Sequence, residues 1–197
     1  MPGELVRLEM EADGRKLPET LSALSEAEHR RGLVRLLQLA YSGEKAAALA
    51  YAGHWRSLPQ GTARDTIIRI EREEVEHRQT VGAMLKKLGE KPAFWREVLM
   101  GTIGRLAYLG CFFTGWFLPM YFAGKLEHEN VREYDVAAVH AHALGMDELL
   151  PALRHMSKTE GEHELFFSEQ VAGHWALRPA RQVFGWDPLP VIEQYRQ

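Results

Sequence analysis

Apolar residues recur at intervals of three and four along four stretches of the chain, which is the spacing of one face of an α-helix. The four stretches are residues 21–55, 63–89, 125–144 and 147–174. Nowhere does the chain show the strict alternation of apolar and polar residues that is typical of a half-buried strand. The pattern therefore predicts an all-α protein, in which four long helices form a four-helix bundle with additional short helices.

The predicted bundle is flanked by two segments of different character. Residues 1–20 have no clear period and predict a loose N-terminal arm. Residues 21–174 are predicted to form the helical bundle. Residues 175–197 contain three prolines, which favour an irregular C-terminal tail.

Each of the four apolar stripes is interrupted near its middle by ionisable residues. The interruptions are, in chain order, Glu44, Glu74 with His77, Glu127, and Glu160 with His163. The motif Glu-x-x-His thus occurs twice, and each occurrence follows a helix with a single glutamate on its stripe. This arrangement indicates one helical hairpin that is used twice.

Four carboxylates and two imidazoles in the core of one bundle need compensating charge, because burying a bare carboxylate is costly. A pair of divalent metal ions would supply that charge. Carboxylate and imidazole ligands without thiolate suit iron or manganese. Ferritin-like carboxylate-bridged bundles use this pattern of ligands, so the predicted fold is a ferritin-like four-helix bundle. The alternative is a network of buried salt bridges, although no arginine or lysine falls on the four stripes.

Several other glutamates lie beside these ligand candidates but fall off the stripes. Glu71, Glu73 and Glu76 on the second predicted helix are expected to face water, and so is Glu164 on the fourth. The sequence gives them no metal-binding role.

The composition narrows the function classes further. The chain has 197 residues, enough for one domain with a sizeable core. Its net charge of −3 gives no reason to expect nucleic acid as a partner. The single cysteine, Cys111, excludes an internal disulfide and a cysteine-based zinc site. The first residues are too charged for the apolar region of a signal peptide, so an intracellular protein is expected.

Four short stretches carry a resemblance to a known family. These are "SGEKAAALAYAGHW", "EREEVEHR", "LEHENVREY" and "KTEGEHEL", and each contains one or two of the ligand candidates. Together with their spacing they resemble the demethoxyubiquinone hydroxylases, which are di-iron proteins of ubiquinone biosynthesis. The resemblance covers about residues 33 to 170.

The resemblance implies a role for each candidate. Glu44 and Glu127 would be terminal ligands of two iron ions, Glu74 and Glu160 bridging ligands, and His77 and His163 one ligand for each iron. Tyr134, seven positions after Glu127, matches a tyrosine of the family that is implicated in passing electrons or protons between quinol and iron. The implied activity is hydroxylation of the ring of a polyprenyl quinone or quinol with O2, driven by an external electron donor.

Residues 106–124, "LAYLGCFFTGWFLPMYFAG", contain no charged side chain. By length they could span a membrane, form a buried core hairpin, or expose an apolar patch that enters one leaflet. The family resemblance implies the third interpretation, with a peripheral protein on the cytoplasmic face of the membrane. Aromatic residues of this segment would then line the entry for a ring with an apolar tail. A homo-oligomer is left open.

Two other function classes remain. A ferritin-like bundle could handle iron or peroxide, or oxidise another small apolar substrate. A bundle without metal could instead serve as a structural or interaction module, although the presence of all six ligand candidates argues against it.

Overall fold

The computed structural model describes Leu21 and residues 23–195; the predicted arm, residues 1–20, lies outside them. Within these residues seven α-helices and short 3-10 turns form the regular structure, and no strand occurs. The all-α helical bundle is thus confirmed. The helices are α1 Glu26–Ser57, α2 Thr62–Lys87, α3 Phe94–Gly110, α4 Phe117–Ala143, α5 Leu150–Val171, α6 Leu177–Phe184 and α7 Leu189–Tyr195, with a 3-10 turn at Asp147–Leu149.

Local signals in the sequence explain where the long helices begin and end. The backbone N–H of Ser25 donates to the carboxylate of Glu28 (2.8 Å), which satisfies a free donor where α1 begins. Beyond the ends of α2 and α4, Gly89 and Gly145 adopt positive φ angles of 71° and 65°. Glycine takes this left-handed conformation without steric cost and so terminates both helices.

The four long helices pair as two hairpins, α1 with α2 and α4 with α5. Their apolar faces form two core clusters. One cluster contains Tyr51, Ile70, Met120 and Phe167, and the other contains Leu37, Val81, Tyr134 and Met156. Along each helix the predicted metal ligands stand between a residue of one cluster and a residue of the other. The ionisable positions therefore lie in the core, with apolar packing on both sides.

The segment 106–124 does not form a single helix, and its residues differ in burial. It comprises the end of α3, a turn, and the start of α4. Phe117 and Tyr121 on α4 are buried, whereas Phe112, Phe113 and Trp116 in the turn are exposed. Among the described residues, no helix combines the length and the apolar character that crossing a membrane requires.

Helix α3 packs on α1 with almost no side chain between the two backbones. A Cβ atom at Gly53 would lie 2.5 Å from the Tyr108 backbone, and one at Gly104 would lie 2.8 Å from the Ala46 backbone. The opposite side of α3 is apolar and exposed, up to 81% at Phe94. We define the apolar surface as Phe94, Trp95, Val98, Leu99, Ile103, Leu106, Leu109, Phe112, Phe113 and Trp116, all of them exposed.

The prediction of an irregular C-terminal tail was wrong, because the tail contains α6 and α7. Trp186, between these helices, is 3% exposed and fills the space above Gly124, where any side chain would collide with its ring. The hydroxyl of Tyr121 donates to the Trp186 carbonyl (2.7 Å). Pro179 and Pro190 stand in the first turns of α6 and α7 and are therefore compatible with both helices.

Candidate metal centre

Helices α1, α2, α4 and α5 bring the six predicted ligands to one place in the core. Their exposed fractions lie between 0% and 5%. They are Glu44 on α1, Glu74 and His77 on α2, Glu127 on α4, and Glu160 and His163 on α5. The helical period explains this result, because each residue continues an apolar stripe that faces the neighbouring helices.

The six residues form two overlapping groups that could each hold a metal ion. One group is Glu44, Glu74, His77 and Glu160, and the other is Glu74, Glu127, Glu160 and His163; within each, one ligand atom per residue lies within 4.8 Å of the others. Glu74 and Glu160 belong to both groups, whereas every other residue belongs to one. This is the geometry in which two carboxylates can bridge two ions.

Several atoms of this cluster are buried without a hydrogen-bond partner among the described residues. They are Glu44 Oε2, both carboxylate oxygens of Glu74, Glu160 Oε2 and His163 Nδ1. Because an unpaired buried polar group is costly, these atoms indicate the place of a ligand. The donor set, oxygen and imidazole nitrogen without thiolate, fits a pair of divalent ions of the iron or manganese type.

The contacts of the four glutamates differ from the buried salt bridges with lysine or arginine that the alternative interpretation requires. His77 Nδ1 lies 2.9 Å from Glu160 Oε1, and His163 Nδ1 lies 3.3 Å from Glu74 Oε1. The Asn130 amide donates to Glu127 (3.2 Å), which otherwise accepts from a tyrosine. None of these contacts brings a lysine or arginine to the carboxylates.

The electrostatics of the cluster reflect crowded, buried acids. Burial first, and then the neighbouring carboxylates, raise the pKa values of Glu44, Glu74 and Glu127 well above that of an exposed glutamate. Burial acts in the same direction on Glu160, but its two histidine neighbours outweigh it and lower that pKa. Burial would lower the pKa of His163, yet contacts with Glu160 and Glu73 raise it to about 10.

Two tyrosines connect the hairpins across the centre. Tyr134 donates a short hydrogen bond to Glu44, and Tyr51 donates one to Glu127. Tyr51 follows Glu44 by seven residues, as Tyr134 follows Glu127. The family resemblance implies a role for Tyr134 alone, although the equal spacing in both halves is a signal for Tyr51 as well.

The expectation that Glu73 faces water was wrong. Its carboxylate accepts a hydrogen bond from His163 Nε2 (2.7 Å), on the side of the imidazole that faces away from the other ligands. Arg69, one turn earlier on α2, pairs with the same carboxylate at 2.8 and 3.0 Å. Glu73 therefore fixes the orientation of a candidate ligand. No feature of the sequence showed that α5 would approach this face of α2.

Two other off-stripe glutamates also make specific contacts. Glu164 is buried, and it interacts with His128 (2.8 Å) and accepts from the indole N–H of Trp186 (3.2 Å). Glu71 accepts from the indole N–H of Trp55 (2.6 Å). By contrast, Glu76 is exposed, as expected.

Comparisons of the chain with models of protein families, with curated proteins and with solved structures returned no match. The class of site is therefore defined by geometry alone, as a buried cluster of carboxylates and imidazoles in a helical bundle that could hold metal ions.

Proposed function

We propose that this protein is a di-iron monooxygenase that hydroxylates the ring of a polyprenyl quinone or quinol. The observation that carries the proposal is the pair of overlapping ligand groups, which share Glu74 and Glu160 in an apolar core. The resemblance of the four ligand-bearing stretches to demethoxyubiquinone hydroxylases supports the choice of iron and of substrate.

In the proposed reaction, O2, two electrons from an external donor and two protons convert a ring C–H bond to C–OH and release one water. Iron bound by the six ligands would supply the reduction of O2. The chain itself supplies position and a dry environment. Tyr134 and Tyr51 hold the carboxylates of Glu44 and Glu127, and their hydroxyls place a proton beside each of these ligands.

The apolar surface supports a substrate that resides in a membrane. A polyprenyl quinone would have to leave the bilayer, and the exposed aromatic residues that follow α3 would form the contact with its apolar phase. The protein would then bind one face of the membrane from the cytoplasm, which is the peripheral location expected from the sequence.

Metal analysis tests the proposed centre. Protein from iron-replete cells is expected to contain about two iron ions per chain, as the paired ligand groups imply. The variant Glu74→Ala should lose both ions, because Glu74 belongs to both groups, whereas Glu76→Ala, on an exposed position of the same helix, should retain them. If the wild-type protein stays metal-free after anaerobic addition of ferrous iron, the proposed enzymatic function is refuted.

Oxygen labelling then separates the proposed reaction from handling of iron or peroxide. With a reduced quinone substrate and labelled O2, one labelled oxygen atom is expected in the product ring. Consumption of O2 or peroxide without a hydroxylated product would instead favour the ferritin-like alternative.

A further inference from the structure

One buried histidine outside the metal ligands has no hydrogen-bond partner for its Nε2 atom. This residue, His54, is 2% exposed. Apart from atoms of the metal ligands, the only other buried side-chain atom without a partner among the described residues is Ser168 Oγ. Buried polar groups are nearly always paired. Like the metal ligands, His54 has a buried atom without a partner, and such an atom indicates the place of a ligand.

The position of His54 connects it to the metal centre. It follows Tyr51 by three residues and therefore lies on the same face of α1. Its ring is nearly parallel to that of Phe167, at 6.4 Å and 15°. Phe167 in turn stacks on Tyr51 at 5.7 Å, and Tyr51 donates to Glu127. Two aromatic rings thus separate the imidazole of His54 from a candidate ligand.

The part of α1 that carries His54 packs against α3, the helix that carries most of the apolar surface. Gly53, the neighbour of His54, touches the backbone of Tyr108 on α3, and Cys111, at the end of α3, contacts the carbonyl of Ala50 (3.9 Å). A molecule that entered between the apolar surface and the metal centre would therefore pass this part of α1.

The environment restricts what His54 can bind. Burial lowers its pKa to about 4, so the imidazole is neutral at physiological pH and attracts no anion. A neutral imidazole offers one N–H donor and one lone pair. The ring of His54 stacks on that of Phe167, which favours a flat apolar molecule that carries an oxygen atom.

We infer that His54 is a specificity-determining residue that forms a hydrogen bond with a ring oxygen, carbonyl or hydroxyl, of a quinone-type ligand. The inference rests on the proposed function and names the group that would recognise its substrate. His54 would favour a ring that carries oxygen over one that does not, because a ring without oxygen leaves Nε2 buried and unpaired.

A pair of matched probes tests this contact in the metal-loaded protein. The probes are a butyl-substituted benzoquinone and butylbenzene, which share the ring and the chain but differ in the oxygens. The variant His54→Leu should weaken benzoquinone binding by about tenfold, the loss of one hydrogen bond, and change butylbenzene binding by less than about twofold. His54→Gln, which keeps a hydrogen-bonding side chain, should restore much of the benzoquinone affinity.

A control variant and a stability measurement exclude a merely structural role. His140→Leu removes another buried histidine, which lies 2.9 Å from His29 and far along the bundle, and should leave both affinities unchanged. Without ligand, His54→Leu should raise the Tm by about 2–4 °C, because it removes an unpaired buried polar group. A lower Tm, unchanged benzoquinone binding or an equal loss of both probes would each overturn the inference.

Metal content, measured in every variant, keeps this inference separate from the proposed function. If the protein binds two ions per chain and His54→Leu leaves benzoquinone binding unchanged, the His54 contact alone is refuted. If the wild-type protein binds no metal but binds the benzoquinone selectively, and His54→Leu abolishes that selectivity, the contact is supported and the hydroxylase is refuted.

Discussion

Glu73 and Arg69 form a second layer around one of the two candidate metal positions. The carboxylate of Glu73 joins the guanidinium of Arg69 to Nε2 of His163, so the imidazole is held with Nδ1 towards the other ligands. For His77, Nδ1 also faces inwards, towards Glu160 (2.9 Å). Carboxylates behind a metal-binding histidine fix its tautomer and increase its basicity.

Replacement of Glu73 should therefore weaken metal binding without removing a ligand. For Glu73→Ala we expect a loss of about 10–100-fold in affinity at the position that includes His163, measured by competition with a chelator. Glu73→Gln, whose side-chain oxygen can still accept from Nε2, should lose less. The exposed Glu76→Gln serves as the control, and an affinity for Glu73→Ala equal to that of the control would contradict this role.

His54 should also make the stability of the protein sensitive to acid. Its pKa is lowered from 6.5 in the unfolded chain to about 4 in the fold. As the pH falls from 6.5 to 4, the unfolded chain binds a proton that the folded protein does not, and stability is lost. The full difference corresponds to about 3 kcal/mol. In urea titrations, His54→Leu should lose less stability than wild type over this range.

The exposed His155 provides the comparison for that titration. Because its side chain is not transferred from water on folding, His155→Leu should follow the wild-type curve. If His54→Leu also followed it, the buried imidazole would not be the source of the acid sensitivity.

Glu74 and Glu73 differ in how far the sequence predicts their place in the centre. The helical period places Glu74 and His77 on an apolar stripe, so their burial follows from the sequence alone. Glu73 differs from Glu74 by one position, yet its contact depends on how closely α5 approaches the flank of α2. That distance results from packing of whole helices, and no local pattern encodes it.

At the scale of elements, the crossing of α1 and α3 depends on glycine. The backbone of Tyr108 lies where a side chain of residue 53 would be. Gly53→Ala must push α3 away from α1, so we expect a loss of about 1–3 kcal/mol in the free energy of unfolding.

The same helix offers a matched control for this substitution. Gly43 lies within α1, and a Cβ there would meet no atom within 4 Å. Gly43→Ala should increase the free energy of unfolding by about 0.5–1 kcal/mol, because glycine is entropically unfavourable inside a helix. Urea denaturation of both variants measures the two effects, and equal signs would contradict the close crossing.

The C-terminal helices mark a limit of prediction at this scale. Helices α6 and α7 have only eight and seven residues, too few for a reliable apolar period, and their prolines suggested a tail without helices. Their position depends on Trp186, whose ring lies over Gly124 on α4. A contact between residues so far apart in the chain becomes visible only in three dimensions.

At the scale of the whole molecule, the apolar surface is the feature that most needs a partner. Phe113, 86% exposed, lies in the turn after α3 and contributes little to the core. Phe113→Glu should therefore leave the Tm unchanged but reduce partitioning onto phosphatidylcholine vesicles by about tenfold or more, given the free energy of burying one aromatic side chain. Co-sedimentation with vesicles measures this change.

The control for charge is Gln79→Glu, at an exposed position on α2 outside the apolar surface. This variant adds the same negative charge and should partition like wild type. Vesicle binding that Phe113→Glu does not change would mean that the turn after α3 does not enter the lipid.

The two hairpins contribute in equal measure to the candidate centre. Each brings one single glutamate, one Glu-x-x-His pair and one tyrosine, and each tyrosine bonds the glutamate of the other hairpin. A chain of half this length, with one hairpin, could thus build the whole centre by pairing with a second copy of itself. Duplication and fusion of such an ancestor would explain the symmetry. After such a fusion the two halves need no longer be identical, which agrees with the contact of Glu73 with His163 in one half and with the position of α3 and its apolar surface between the hairpins.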